Sequence, residues 1–230
     1  MYGSLPLVLA SASPRRSEIL VARGFAPIVR PSYAEERIPE DRELSPEETA
    51  MFLAEQKAQT IADELLAEAG AAPCLVLGVD TIVFRDCIIG KPKDERDALA
   101  ILRRLADGMH AVISGVCLIE LAPPPAVGGL SGRPSALIQT DKRLLYETTL
   151  VTFEDYTDEE ILAYVRANPP YDKSGSYAIQ SDWGKHALRI DGSVENVIGL
   201  PIQKIEPLLA ARGVVRAVPP ETGGNEGQRP

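Results

Sequence analysis

The segment Leu7-Val8-Leu9-Ala10-Ser11-Ala12-Ser13-Pro14-Arg15-Arg16 constrains this chain more than any other. An apolar strand runs straight into a helix start, so the fold opens on a β-strand feeding an α-helix. Ser13 suits the N-cap and Pro14 the first helical position, where a missing N–H costs nothing. Arg15 and Arg16 then fall beside free backbone N–H groups at the positive end of the helix dipole. Each cation there is unfavourable by about 0.3–1 kcal/mol. Solvated arginines at a tolerant helix start are one explanation. A bound anion, phosphate above all, is the other, because it reverses the sign of those interactions.

Strand and helix signals go on alternating through the first half, which predicts an α/β fold. Leu7–Ser11 reads as a strand, Pro14–Ala22 as a helix and Pro27–Pro31 as a second strand. Ser45-Pro46 opens a long helix to about Ala69, with Ala50, Leu53, Ala54, Ala58, Ile61, Leu65 and Leu66 on one stripe. Cys74–Val79 is a buried strand that Ile82-Val83-Phe84 continues, and Cys87–Ile89 returns as a hairpin. Asp94 caps a helix through Leu105, which Gly108 stops. Met109–Leu121 and Leu137–Phe153 read as long strands around the Pro/Gly-rich Ala122–Ser135, a surface insertion. Thr157 and Glu160 form a capping box for a helix to Ala167. Short strands are predicted near Tyr177–Gln180 and Leu188–Ile190, and a last helix over Pro201–Arg212. The expected organisation is one domain over residues 1–216, with the insertion at 122–135 and a disordered tail at 217–230.

A formal net charge of −9 argues against a binder of nucleic-acid polymers, which would carry a basic face. The three cysteines, Cys74, Cys87 and Cys117, are scattered in apolar runs without CxxC spacing and read as buried, reduced thiols. No apolar run approaches the ~18 residues that a membrane span requires. A cytoplasmic protein without a membrane partner is expected.

Two further residues break local rules. Lys57 projects from the apolar side of the long helix, either snorkelling to water or aimed into a pocket. Asp80 ends an apolar strand, where a carboxylate is costly to bury unless it binds a cation or handles a proton. A simple strand-terminating aspartate is the plainer alternative. Thr81 is expected to offer its hydroxyl to the same space as Asp80. Lys91 leaves a tight Gly90-Lys91-Pro92 turn, and Glu35-Glu36, after Pro31-Ser32, is an acidic pair on a loop of the kind usually read as a solvated turn. Gln180 can address a nucleobase edge as donor and acceptor, though a lone glutamine is more often structural.

Taken in order, Ser11-x-Ser13-Pro14-Arg15-Arg16, Gln56-Lys57, Gly78-x-Asp80-Thr81, Gly90-Lys91-Pro92, Asp172-Lys173-x-Gly175, Ile179-Gln180 and Asn196-x-x-Gly199-Leu200-Pro201 resemble the Maf-type nucleoside triphosphate pyrophosphatases. The resemblance runs from about Leu7 to Arg212, leaving out the insertion and tail. It implies an elongated central mixed β-sheet flanked by helices, with two lobes and a cleft between them, often in a homodimer. It also implies hydrolysis of a nucleoside triphosphate to monophosphate and pyrophosphate. Arg15, Thr81 and Gln180 match the branch that prefers dTTP and UTP over the branch that prefers 7-methyl-GTP. Val79 and Ser114 stand where Ala and Thr are commoner, and Ser174 and Ser176 where alanines are usual.

On this resemblance Asp80, Lys57 and Lys91 are the expected catalytic residues. Ser11, Ser13, Arg15, Arg16, Thr81 and Gln180 are the expected substrate contacts, and Glu35 and Asp80 the expected metal ligands. An oxygen-rich site in a chain with two histidines suits Mg²⁺ or Mn²⁺ better than Zn²⁺. A non-catalytic nucleotide sensor acting on cell division and a 7-methyl-GTP pyrophosphatase are the alternatives.

Overall fold

A computed structural model describes residues 5–33, 38, 42–124 and 136–216. Glu35, most of the insertion and the 217–230 tail lie outside the described residues. The chain runs β1 (Leu7–Leu9), α1 (Pro14–Ala22), β2 (Ile28–Val29), α2 (Pro46–Ala67), β3 (Cys74–Arg85), β4 (Cys87–Ile89), α3 (Glu95–Leu105), β5 (Gly108–Ala122), β6 (Ile138–Phe153), α4 (Asp158–Ala167), β7 (Ala187–Asp191), α5 (Val194–Ile198) and α6 (Ile202–Ala211). Among the described residues the strands form one mixed sheet, ordered β2-β1-β3-β5-β6-β7, with β4 also paired to β3. β1 is parallel to β2 and β3, whereas β3–β5, β5–β6 and β6–β7 are antiparallel.

Helix α2 is set by local chemistry at its start and by packing along its length. Ser45 Oγ accepts from the Glu48 N–H at 3.1 Å while the Glu48 carboxylate accepts from the Ser45 N–H at 2.8 Å, a complete capping box. Its buried face includes Ala50, Ala54, Ala58 and Ala62, residues small enough to lie close against the sheet. Gly78 on β3 and Gly115 on β5 complete the fit. A Cβ on Gly78 would overlap the Ala54 carbonyl oxygen and lie 2.8 Å from the Ala58 Cβ, and one on Gly115 would overlap the Ala50 and Met51 backbone.

Strand β3 is covered on both faces, which explains its unbroken apolar run. Cys74 and Val76 face α2, while Leu75, Leu77 and Val79 pack with Leu200, Ile202, Ile205 and Leu209 around α6. The alternation continues to the site: Asp80 points to the α2 face and Thr81 to the other.

One edge of β3 is interrupted. β1 pairs it only as far as Leu77, and β4 resumes at Val83. Residues 78–82 therefore border a notch on that side, while β5 pairs continuously along the other.

Three local expectations are corrected. Tyr177–Gln180 is not a strand; it follows a 3₁₀ turn over Ser174–Ser176, in which Gly175 has φ 76° and Ser176 φ 62°. Its β-forming residues are held by tertiary partners instead, with Tyr177 packed in an aromatic cluster and the Ala178 N–H donating to Tyr164 Oη at 3.0 Å. Cys87 is exposed at the tip of the β3–β4 hairpin, while Cys74 and Cys117 are buried as expected. Ser13 occupies the N-cap position of α1, but its side chain makes no capping bond. No helix among the described residues is long and apolar enough to cross a membrane.

Candidate active site

The notch beside β3 opens into a cavity of about 320 Å³. Ser11, Ser13, Arg15, Arg16, Lys57, Asp80, Thr81, Lys91 and Gln180 all line it. Five segments that are distant in sequence bring them together: the β1–α1 loop with the first turn of α1, α2, β3, the loop after β4, and the 172–180 segment. Asp172 and Lys173 join the same wall. The sequence shows those two as a charged pair beside a glycine but gives neither a role. Glu35 lies outside the described residues.

Arg15, Arg16, Lys57, Lys91 and Lys173 face this space against the carboxylates of Asp80 and Asp172. A chain of net charge −9 thus concentrates positive charge at one cavity. Such a wall attracts a polyanion.

The two arginines of the first helical turn have different surroundings. Arg15 donates to Asp172 at 3.0 Å across the cavity. Lys173 donates to the other oxygen of that carboxylate. Burial pushes the Asp172 carboxyl up, but the hydrogen bonds from Lys173 and Arg15 outweigh it and hold the group below the usual carboxylate range. Arg16 is buried and tied inward: Nε donates to the Gly199 carbonyl at 2.9 Å, Nη1 to Ser11 Oγ at 2.8 Å and Nη2 to Thr81 Oγ1 at 3.3 Å. Its place at the positive end of a helix therefore has an intramolecular explanation. Gly199 has φ 124°, a left-handed conformation that favours glycine there.

Ser11 Oγ also accepts from the Ser13 N–H at 3.2 Å. With both lone pairs taken, its own proton is left to give. Helix α1 carries no acidic residue in its first turn and no side-chain cap, so it presents bare N–H groups of the kind that bind anions.

Lys57 extends from α2 to donate to the Asp80 carboxylate on β3, and the two side chains are 13% and 11% exposed. Lys91 is carried by a turn whose preceding residue, Gly90, accepts from the Gly175 N–H at 3.2 Å. That bond joins the loop after β4 to the Asp172–Ser174 wall. Gln180 is exposed at the cavity's rim.

The sequence model of the family described as Maf-like protein matches residues 6–212. The chain belongs to the Maf-like family. It is 38% identical over 208 residues to a dTTP/UTP pyrophosphatase of Caldicellulosiruptor bescii, covering 90% of this chain and 94% of that protein. It is also 38% identical over 210 residues to a dTTP/UTP pyrophosphatase of Bacillus pumilus, covering 90% of this chain and 97% of the other. A Desulfitobacterium hafniense protein of the same name is 37% identical over 209 residues, covering 90% of this chain and 86% of its own length.

For a Maf-like chain the motif order acquires a spatial meaning. The β1–α1 loop, the Lys57 helix, the middle of β3, where Asp80 lies within the strand and does not end it, and the Lys91 turn are four walls of one cavity. The Asn196–Pro201 corner stands behind Arg16.

Proposed function

We propose that this Maf-like protein hydrolyses dTTP and UTP between the α and β phosphates, giving the monophosphate and pyrophosphate. The observation that carries the reading is the convergence of Arg15, Lys57, Lys91 and Asp80 on one cavity. Relatives that match nine-tenths of the chain carry the name of that activity.

The chemistry follows from charge and position. A water oxygen attacks the α-phosphorus, the bond from that phosphorus to the bridging oxygen breaks, and pyrophosphate leaves with the bonding electrons. Asp80 takes the proton from the attacking water. Charge spreads over the phosphate oxygens as the bond breaks, and preorganised cations lower the barrier. Arg15, Lys57 and Lys91 supply those cations, and Ser11, Ser13 and the α1 N-terminus supply neutral donors. A polyphosphate competes with Asp80 for the Lys57 ammonium, which frees the carboxylate to act as a base. Arg15 and Gln180 read the pyrimidine, with the Gln180 amide offering both a donor and an acceptor.

A divalent cation fits this donor set. Mg²⁺ and Mn²⁺ need only one or two protein carboxylates when substrate phosphates complete the shell. Among the described residues no group of three or more His, Cys, Asp or Glu could hold a metal. Asp80 would hold the cation together with phosphate oxygens, and Glu35 is the second proposed ligand. Bound there, the cation would withdraw negative charge from the phosphates.

The test is product analysis with purified protein and Mg²⁺ or Mn²⁺ on dTTP, UTP, dCTP, dATP and 7-methyl-GTP. Pyrophosphate released fastest from dTTP and UTP is the expected result. Release of orthophosphate, or no product with either metal, contradicts the activity. Faster turnover of 7-methyl-GTP contradicts the base assignment.

A further inference from the structure

Gln180 reaches the cavity rim from a tight turn. The Ser181 N–H donates to the Ala178 carbonyl at 3.0 Å, which closes residues 178–181 with Ile179 and Gln180 at the two central positions. Ser181 Oγ donates to the same carbonyl at 2.7 Å and accepts from the Trp183 N–H at 3.3 Å. Ile179 packs against the aromatic cluster, and a Cβ on Gly184 would overlap its carbonyl oxygen. Gln180 is exposed, so the backbone of this turn, rather than packing around the amide, sets where its side chain starts.

Tyr164 holds that turn from behind. It is buried on α4, on the same face as Ile161 and Val165, and all three belong to the aromatic cluster. Its ring packs on Trp183 with centroids 4.7 Å apart, which fixes the place of the hydroxyl. Tyr164 Oη accepts from the Ala178 N–H at 3.0 Å, and the Ser181 side chain is close enough to bear on the same hydroxyl. Tyr164 does not line the cavity. A capped helix therefore anchors the first residue of the turn that presents Gln180.

We propose that Tyr164 is a positioning residue for base recognition: its hydroxyl anchors the Ala178 N–H and so holds the turn that delivers the Gln180 amide to the pyrimidine. Tyr164 itself touches no nucleotide, and its role rests on the reading of Gln180 as a base contact. Arg15, Lys57 and Lys91 come from other elements, which Tyr164 does not hold in place. Removing the Tyr164 hydroxyl therefore alters base preference and leaves the handling of the phosphates unchanged.

The experiment sets Tyr164→Phe beside Gln180→Ala and the double variant. It reads kcat and KM for dTTP, UTP and dCTP, inhibition by inorganic tripolyphosphate, and urea midpoints as the check on folding. Phenylalanine keeps the ring against Trp183 and loses only the hydroxyl. Cytosine carries an amino group where thymine and uracil carry a carbonyl, so dCTP reports on the amide. Loss of one net hydrogen bond corresponds to about two- to tenfold. In Tyr164→Phe the KM for dTTP and UTP should rise, and the preference for dTTP over dCTP fall, by that factor, with kcat little changed. Tripolyphosphate, which offers phosphates without a base, should inhibit Tyr164→Phe and wild type equally. The double variant should lose no more preference than Gln180→Ala alone. If Tyr164→Phe fails to fold, Ser181→Ala, which releases the Ala178 carbonyl of the same turn, is held to the same expectations. Tyr164→Phe with wild-type base preference, where Gln180→Ala has lost it, overturns the positioning role alone. A Tyr164→Phe protein that weakens dTTP, dCTP and tripolyphosphate alike also overturns it, because that result shows a merely structural part. Gln180→Ala with wild-type preference contradicts the base contact itself, and the role of Tyr164 falls with it. A wild-type protein that binds dTTP but releases no pyrophosphate contradicts the activity, and the same ratios are then read as Kd values by calorimetric titration.

Discussion

The Lys57 ammonium bridges helix α2 and strand β3 by donating to the Asp80 carboxylate, with both side chains close to nine-tenths buried. Each charge compensates the other where most of both side chains is shielded from solvent. Breaking a buried pair from one side costs about 3–5 kcal/mol when burial is complete, and less beside a cavity that admits water. Lys57→Met should therefore lower unfolding free energy by roughly 1–3 kcal/mol in urea titrations and abolish most activity. Adding Asp80→Asn removes the stranded charge, so the double variant should regain stability without regaining turnover. Recovery of both together would contradict the separate roles given to the pair.

The seating of α2 is a second lever on the same site. Gly78 leaves no room for a Cβ against Ala54 and Ala58, so Gly78→Ala must lift the helix that carries Lys57. Overpacking of this kind costs about 1–3 kcal/mol. We expect a lower unfolding midpoint and a loss of turnover larger than stability alone explains, measured at a temperature where the variant is fully folded. Wild-type kinetics in a destabilised Gly78→Ala protein would show that the position of Lys57 is not critical.

His110 gives the fold a pH dependence away from the cavity's charges. Burial, with the nearby Arg85 guanidinium adding to it, pulls its imidazole down to about 4. Its Nε2 lies 2.8 Å from Tyr177 Oη inside the aromatic cluster. The folded chain resists protonation of this ring while the unfolded chain takes the proton near pH 6.5. The stability it confers is therefore complete above about pH 6.5 and is lost as pH falls towards 4, by about 3 kcal/mol. His110→Gln should flatten the fall in unfolding free energy between pH 7 and pH 4 by roughly that amount. An unchanged slope would mean that other groups carry the acid sensitivity.

Much of this arrangement was legible in the sequence where the controlling chemistry is local. Pro14–Ala22 is helical from end to end, Ser45-Pro46 opens α2, and the Thr157 capping box marks the start of α4. The motif residues meet at one cavity: Ser11, Ser13 and Arg15 lie at or beside the start of α1 and Lys91 in a turn, whereas Lys57 and Asp80 come from the middles of α2 and β3. Side chains whose partners are distant were not legible. Arg16 bonds to the carbonyl of Gly199, 183 positions away, and nothing in its own helical turn predicts that bond. Tyr177–Gln180 has strand-forming residues, but Tyr164 and the aromatic cluster hold it as a turn. Asp80 and Thr81 both border the cavity as expected, although alternation along the strand turns their side chains to opposite faces of the sheet.

In the proposed reaction Asp80 accepts a proton from the hydrolytic water. The most direct measurement of that role is the turnover of dTTP by Asp80→Asn set beside the affinity of the same variant for dTTP. General base catalysis contributes about 10²- to 10⁴-fold, so kcat should fall by that factor while nucleotide affinity stays within a few fold of wild type. An Asp80→Asn protein that releases pyrophosphate from dTTP at the wild-type rate would contradict the account.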